Sequence, residues 1–199
     1  MRKNSFTLAE ILVAMAIIGV VAALTVPSLS EAYRKRVLTT QLQMAYAEVS
    51  QAAGLVMSNE MPDDFKLSKA VKNKDFLGKY LTVSKKGQWG GASQYGFFYD
   101  KYATYDLFNN EMGSKYHNWN NFDCGVTKSG AAICIDKYGI GILDVNGENG
   151  PNLIGRDAFQ ITFKPNGQVI GNNSDYRPLE SIIEGNWDID SPNWEWTWR

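Results

Sequence analysis

Histidine is nearly missing from this chain: His117 is the only one among 199 residues. With no second imidazole and no thiolate placed beside it, it points to neither a metal centre nor acid–base catalysis. An excess of positive charge is also missing. The formal net charge is -1, and setting aside Arg2 and Lys3 leaves 18 of the 20 basic residues against 21 acidic ones. Nothing in that balance calls for nucleic acid. There is no internal repeat and no low-complexity tract, and no nucleophile, base and orienting group stand together in a known pattern. A structural protein rather than an enzyme is therefore expected, with no cofactor required. Cysteine is confined to Cys124 and Cys134.

Charge is scarcest at the start. From Phe6 to Leu29 the one ionisable side chain is Glu10. As a helix this stretch would reach about 36 Å at 1.5 Å per residue, enough to cross a bilayer core of about 30 Å with some tilt. Arg2 and Lys3 precede it and favour a cytoplasmic N-terminus. A secretory signal peptide fits poorly, because a carboxylate opens the apolar run and no small-x-small cleavage site closes it. A plain membrane anchor leaves Glu10 unexplained, since an ionisable group inside a membrane segment is expensive and generally has a partner.

Ser5-Phe6-Thr7-Leu8-Ala9-Glu10 followed by this run resembles the N-terminal signal of type IV pilins and type II secretion pseudopilins. The resemblance covers about the first 30 residues; beyond them it extends only to general layout. It implies that Met1–Ser5 is a leader, that prepilin peptidase cuts between Ser5 and Phe6, and that Phe6 is then methylated. The residue before the cut is usually Gly or Ala in that family; Ser5 is also small. The resemblance further implies that Glu10 meets the Phe6 ammonium of a neighbouring subunit, because an unpaired charge in hydrocarbon costs several kcal/mol. Gly19 and Pro27 stand where the family often has a mid-helix glycine and a kinking proline. The implied partners are other subunits of the filament, the peptidase, an inner-membrane assembly platform and the membrane itself. The implied location is the bacterial inner membrane, crossed once, with the C-terminal domain outside the cytoplasm.

Past Pro27, which should bend the helix by removing a backbone donor, the apolar residues Leu38, Leu42, Ala45, Val49, Ala52 and Val56 step by four and three and mark one face of a continuing helix. Gly54 weakens its end, and Pro62-Asp63-Asp64 stops it. Such a stripe needs a folded domain to cover it. The charged group Glu31, Arg34, Lys35 and Arg36 reads either as a solvated face or as contacts between subunits. The expected fold is α+β and pilin-like, a long N-terminal helix packed against a small antiparallel sheet. The expected segments are a leader (1–5), a membrane or filament-core helix (6–29), its amphipathic continuation (30–61) and a globular domain (62–199).

One or two short helices are expected between Asp63 and Leu81, and a loop from Lys85 to Gly91. The aromatic- and Asn-rich stretch from Trp89 to Phe122 has weak periodicity, with a strand or short helix around Phe97–Tyr105. Its aromatics either pack on the sheet or present a glycan-binding surface. The latter would make the chain a membrane-anchored binding module. Cys124 to Cys134 reads as a hairpin turning at Lys128-Ser129-Gly130. Pairing Thr127 with Ala131 brings the two cysteines opposite each other, and in an exported domain a disulfide follows. Strands are expected at Ile133–Ile135, Tyr138–Leu143, Phe159–Phe163 and Gln168–Ile170, with turns at Asp136-Lys137 and Pro165-Asn166-Gly167. Between two of them, Asp144, Asn146, Glu148, Asn149, Asn152 and Asp157 cluster around glycines. These hard oxygen ligands suit Ca²⁺. The same residues also suit a metal-free Asx-turn, and both readings stand here. The Trp-rich tail from Asn172 to Arg199 reads as a lid over the sheet or as an exposed contact surface.

Overall fold

The computed structural model describes residues 7–88, 122–147, 149, 157–171 and 179–187. The chain divides into two compact units, Met1–Val37 and Leu38–Arg199. Helix α1, Leu8–Glu60, runs from the first into the second.

In the first unit the helix is exposed along its length, with Leu8, Leu12, Ile18 and Leu24 among its bare apolar side chains. Its most apolar window has a mean hydropathy of 2.5, long and apolar enough to cross a membrane. Pro27 sits inside the helix. In the same stretch Thr25 donates from Oγ1 to the Val21 carbonyl and Ser30 donates from Oγ to the Pro27 carbonyl.

In the second unit the apolar stripe does what its spacing predicts. Leu42, Ala45, Val49, Ala52 and Val56 are buried, Ala53 joins them, and Leu38 is partly covered. They pack on strands β1 (Val83–Gln88), β2 (Asp123–Thr127), β3 (Ala132–Ile135), β4 (Ile140–Asp144), β5 (Ala158–Phe163) and β6 (Val169–Gly171), a six-stranded antiparallel sheet in chain order. Alternation divides the strands. Ile133, Ile135, Leu143, Phe159, Ile161 and Phe163 join the α1 core, while Ala132, Cys134 and Ile142 join a second cluster with Phe122 and Cys124.

After α1 the chain turns through Met61, at φ 45°, into a short 3-10 helix (Phe65–Leu67), helix α2 (Lys69–Lys72) and a π-type turn (Phe76–Tyr80). This is the expected pair of short helices with a wider turn added. Phe65 stacks on Phe163 at 4.5 Å, and Phe76 meets both edge-on at 5.6 and 5.7 Å. That cluster pins the segment to β5. Helix α3 (Leu179–Glu184) closes the description, burying Leu179 and Ile182.

Two expectations are corrected. Lys85 to Gln88, expected as loop, belongs to β1, paired with β2 through a bulge between Val83 and Lys85. The ladder overrides a lysine-rich composition, and lysines on an edge strand discourage pairing with other chains. Tyr138, expected to open a strand, lies in the β3–β4 turn. Asp136 Oδ1 accepts from Tyr138 N and Ile140 N, each at 2.8 Å, and Gly139 has φ 78°. The expectations for His117 and Phe97–Tyr105 fall outside the described residues, as do those for the tail, apart from Leu179–Trp187.

Candidate functional site

Ser5 and Phe6 lie outside the described residues; the site's chemistry begins at Thr7. Glu10 Oε2 accepts from Thr7 N at 2.7 Å and from Thr7 Oγ1 at 2.9 Å, and Glu10 N donates back to Thr7 Oγ1 at 3.3 Å. This is a reciprocal capping box. It satisfies donors that the first helical turn leaves open and sets a negative charge at the positive end of the helix dipole. The Thr-x-x-Glu spacing of Thr7 and Glu10 is its signature in the sequence. Glu10 is therefore held in place by its own helix, while a carboxylate retains further acceptor positions. Gly19 has nothing within 4 Å of where a Cβ would stand. Both it and Pro27 lie in the exposed part of α1.

Cys124 and Cys134 face each other across β2 and β3 and are joined in a disulfide. The hairpin closes as expected, with Thr127 N donating to Ala131 O at 2.7 Å. Counting alternately from that pair puts Cys124–Cys134 at a non-hydrogen-bonded position, where opposed side chains lie closest. Both cysteines are fully buried.

At the end of β4, Asp144 and Asp157 are both wholly buried. Asp144 Oδ1 accepts from Asn146 N at 3.1 Å, an Asx-turn, and Asn146 Nδ2 points at Asp157 Oδ2 at 3.4 Å. Val145 N donates to Asp157 O at 2.8 Å. Asn149 turns its amide Nδ2 to Asn146 O at 3.0 Å. Gly147, at φ 63°, lies where an added Cβ would stand 2.5 Å from Gly130 O, so the loop rests on the β2–β3 turn. Thus Asp144, Asn146 and Asp157 come together and Asn149 is tied to them, while Glu148 and Asn152 lie outside the described residues. Among the described residues no three His, Cys, Asp or Glu side chains converge. Two carboxylates and one amide oxygen fit part of a calcium shell, which takes six to eight oxygens.

Two polar networks in the globular unit were not anticipated. Glu60, at the end of α1, accepts from Tyr80 Oη at 2.8 Å and from Ala70 N at 3.1 Å, with Lys79 Nζ at 3.6 Å. Burial pushes this carboxyl up, but the hydrogen bonds and the nearby ammonium together outweigh it and hold it below its ordinary value. Lys86 donates to Lys74 O at 2.8 Å and Leu77 O at 3.2 Å, and its ammonium stands 3.2 Å from Asp123 Oδ2. Here burial wins over the lysine and raises Asp123 above its ordinary value. Neither partnership has a local sequence signature; the contacts join residues 9 to 37 positions apart.

Neither the curated proteins nor the solved structures include a match to this chain. A family model does match, the prokaryotic N-terminal methylation motif, over residues 1–26. It takes in Ser5, Phe6, Glu10 and Gly19 and stops just short of Pro27. By that motif the chain carries the N-terminal signal of type IV pilins and pseudopilins, and the helix that begins within it is long and apolar enough to cross a membrane.

Proposed function

We propose that this chain is a structural subunit of a filament of the type IV pilus or type II secretion pseudopilus kind, and not an enzyme. Prepilin peptidase removes Met1–Ser5, and the new N-terminus at Phe6 is methylated. The subunit crosses the inner membrane once with its globular unit outside the cytoplasm, and an inner-membrane assembly platform feeds it into the filament. The observation that carries this reading is Glu10. It is the one carboxylate between Phe6 and Leu29, the apolar stretch that begins inside the matched motif, and Thr7 holds it in a fixed place.

A carboxylate at membrane depth costs about 2.5–3.5 kcal/mol when unpaired. A neighbour's N-terminal ammonium at the same depth offsets that cost only when the two subunits are staggered along the axis by the distance from Phe6 to Glu10. The charge thus selects a register, while the apolar surface supplies the attraction. A calcium ion held by the Asp144–Asp157 loop, with Asp144, Asn146 and Asp157 as ligands, would stiffen the globular unit.

Two measurements test the proposal. Intact mass and N-terminal sequencing of the mature protein should show loss of five residues and a methylated amine at Phe6. Glu10→Ala should leave processing intact and abolish filaments. Filaments formed by Glu10→Ala at wild-type yield would overturn the role given to Glu10, whereas a wild type that forms no filaments and a Glu10→Ala variant that still binds glycan would favour a membrane-anchored binding module.

A further inference from the structure

A cavity of about 220 Å³ opens between α2 and the β3–β4 turn, lined by Ala70, Val71, Phe76 and Ile135 and by the charged residues Lys72, Lys74, Asp123, Asp136 and Lys137. Its two carboxylates are already engaged. Asp136 caps the turn through two backbone N–H groups, and Asp123 faces Lys86. The lysines are less engaged: Lys74 and Lys137 act on Asp123 and Asp136 through Coulomb attraction, without a close ion pair. Among the described residues the Lys72 and Lys74 ammonium groups have no ion pair, and Lys137 lies over the Tyr138 ring at 4.9 Å. Lys74 is held at φ 58°, a left-handed conformation that a non-glycine residue keeps only under constraint. Lys86 Nζ donates to the Lys74 carbonyl at 2.8 Å. Asp75, exposed on the same turn, is the acidic neighbour to be set against the three lysines.

We propose that this cavity is a subunit contact that takes one apolar side chain flanked by carboxylates, presented by a second copy of this chain. The volume is below the roughly 300–1,000 Å³ usual for small-molecule sites and suits a single side chain. Phe76, Val71 and Ile135 supply the apolar wall, and Lys72, Lys74 and Lys137 supply a rim that charge complementarity matches to an acidic segment. The sequence itself contains such a segment. Residues 188–198 combine Asp188, Asp190 and Glu195 with Ile189, Trp194, Trp196 and Trp198. The inference rests on the filament reading for the source of this segment.

The test uses the full-length chain in non-ionic detergent and a fluorescein-labelled peptide with the sequence of residues 188–198. Binding should weaken at least tenfold in the Lys72→Glu/Lys74→Glu variant, both positions being exposed, and equally when the peptide's acids are replaced by Asn and Gln. It should also weaken as salt is raised. Binding that ignores both changes would overturn the proposal. So would loss of affinity for anionic phospholipid vesicles in the variant without any peptide binding by the wild type, which would mark the lysines as a headgroup contact. Cleavage after Ser5, measured by mass on the same preparations, keeps the two readings apart. An uncleaved wild type sinks the filament reading, whereas a cleaved wild type that does not bind the peptide sinks this one alone.

Discussion

Glu60 shows how much one side chain can hold. It ties the last turn of α1 to Ala70 at the start of α2 and to Tyr80 at the end of the π-type turn, and its side chain is only 10% exposed. Glu60→Gln keeps the shape and removes the charge. We expect it to cost about 1.5–3 kcal/mol at neutral pH, the worth of hydrogen bonds to a charged acceptor. The sign with pH follows from the lowered folded value. The carboxylate's contribution is present above its ordinary value of 4.5 and is lost as pH falls through the folded value. Urea melts of wild type and variant should therefore converge in acid. Convergence at alkaline pH instead would refute the assignment. Asp123 has the opposite sign: raised by burial, it favours the fold most below 3.8, and that contribution is lost as pH rises through the folded value.

Gly141 makes a second residue-scale test. A Cβ there would stand 2.5 Å from the Cys134 carbonyl, so Gly141→Ala must push β3 and β4 apart. Overpacking against backbone costs about 1–3 kcal/mol. Gly54, helical and with nothing within 4 Å, is the control, and Gly54→Ala should add about 0.5–1 kcal/mol. Thermal melts should move in opposite directions.

At the scale of elements, the β2–β3 hairpin and the loop after β4 brace each other where Gly147 meets Gly130. The Cys124–Cys134 bridge closes a short loop, and on the chain-entropy model contributes on the order of 2–3 kcal/mol. Alkylation without reductant should label neither cysteine, and in urea unfolding the double Cys→Ala variant should be less stable by that amount. For the loop, we expect the globular unit to melt higher in millimolar calcium than in chelator, because a ligand that binds only the folded state stabilises it. Asp144→Ala should remove the difference, and magnesium, which gives up its water reluctantly, should do less. Equal melting temperatures would leave Asp144 and Asp157 as turn-forming caps.

At the scale of the whole molecule, α1 serves two environments. Its first part exposes apolar side chains all round, which only lipid or neighbouring helices can cover, and its second part buries a stripe in its own domain. Residues 28–199 produced without the apolar stretch should therefore stay in solution and unfold cooperatively, while the full chain partitions into membranes. Sedimentation of both after cell lysis checks this, and a truncated chain that still pellets with membranes would show a second anchoring surface.

The sequence by itself determined the long helix, its change of character after Leu29 and the signal around Glu10. These rest on periodicity, composition and a short motif, all of which are local. It also placed the hairpin and the cysteine pair, because a tight turn sets the register of the strands it joins. Only the tertiary structure decided that Lys85–Gln88 is a strand, since an edge strand takes its ladder from a partner some 40 residues away. Nor could sequence show Glu60 capping α2, or Lys86 clamping the Lys74 carbonyl below the lysine-rimmed cavity. Those contacts depend on which segments the apolar core brings together, and burial then sets the cost of leaving a carboxylate or an ammonium without a partner.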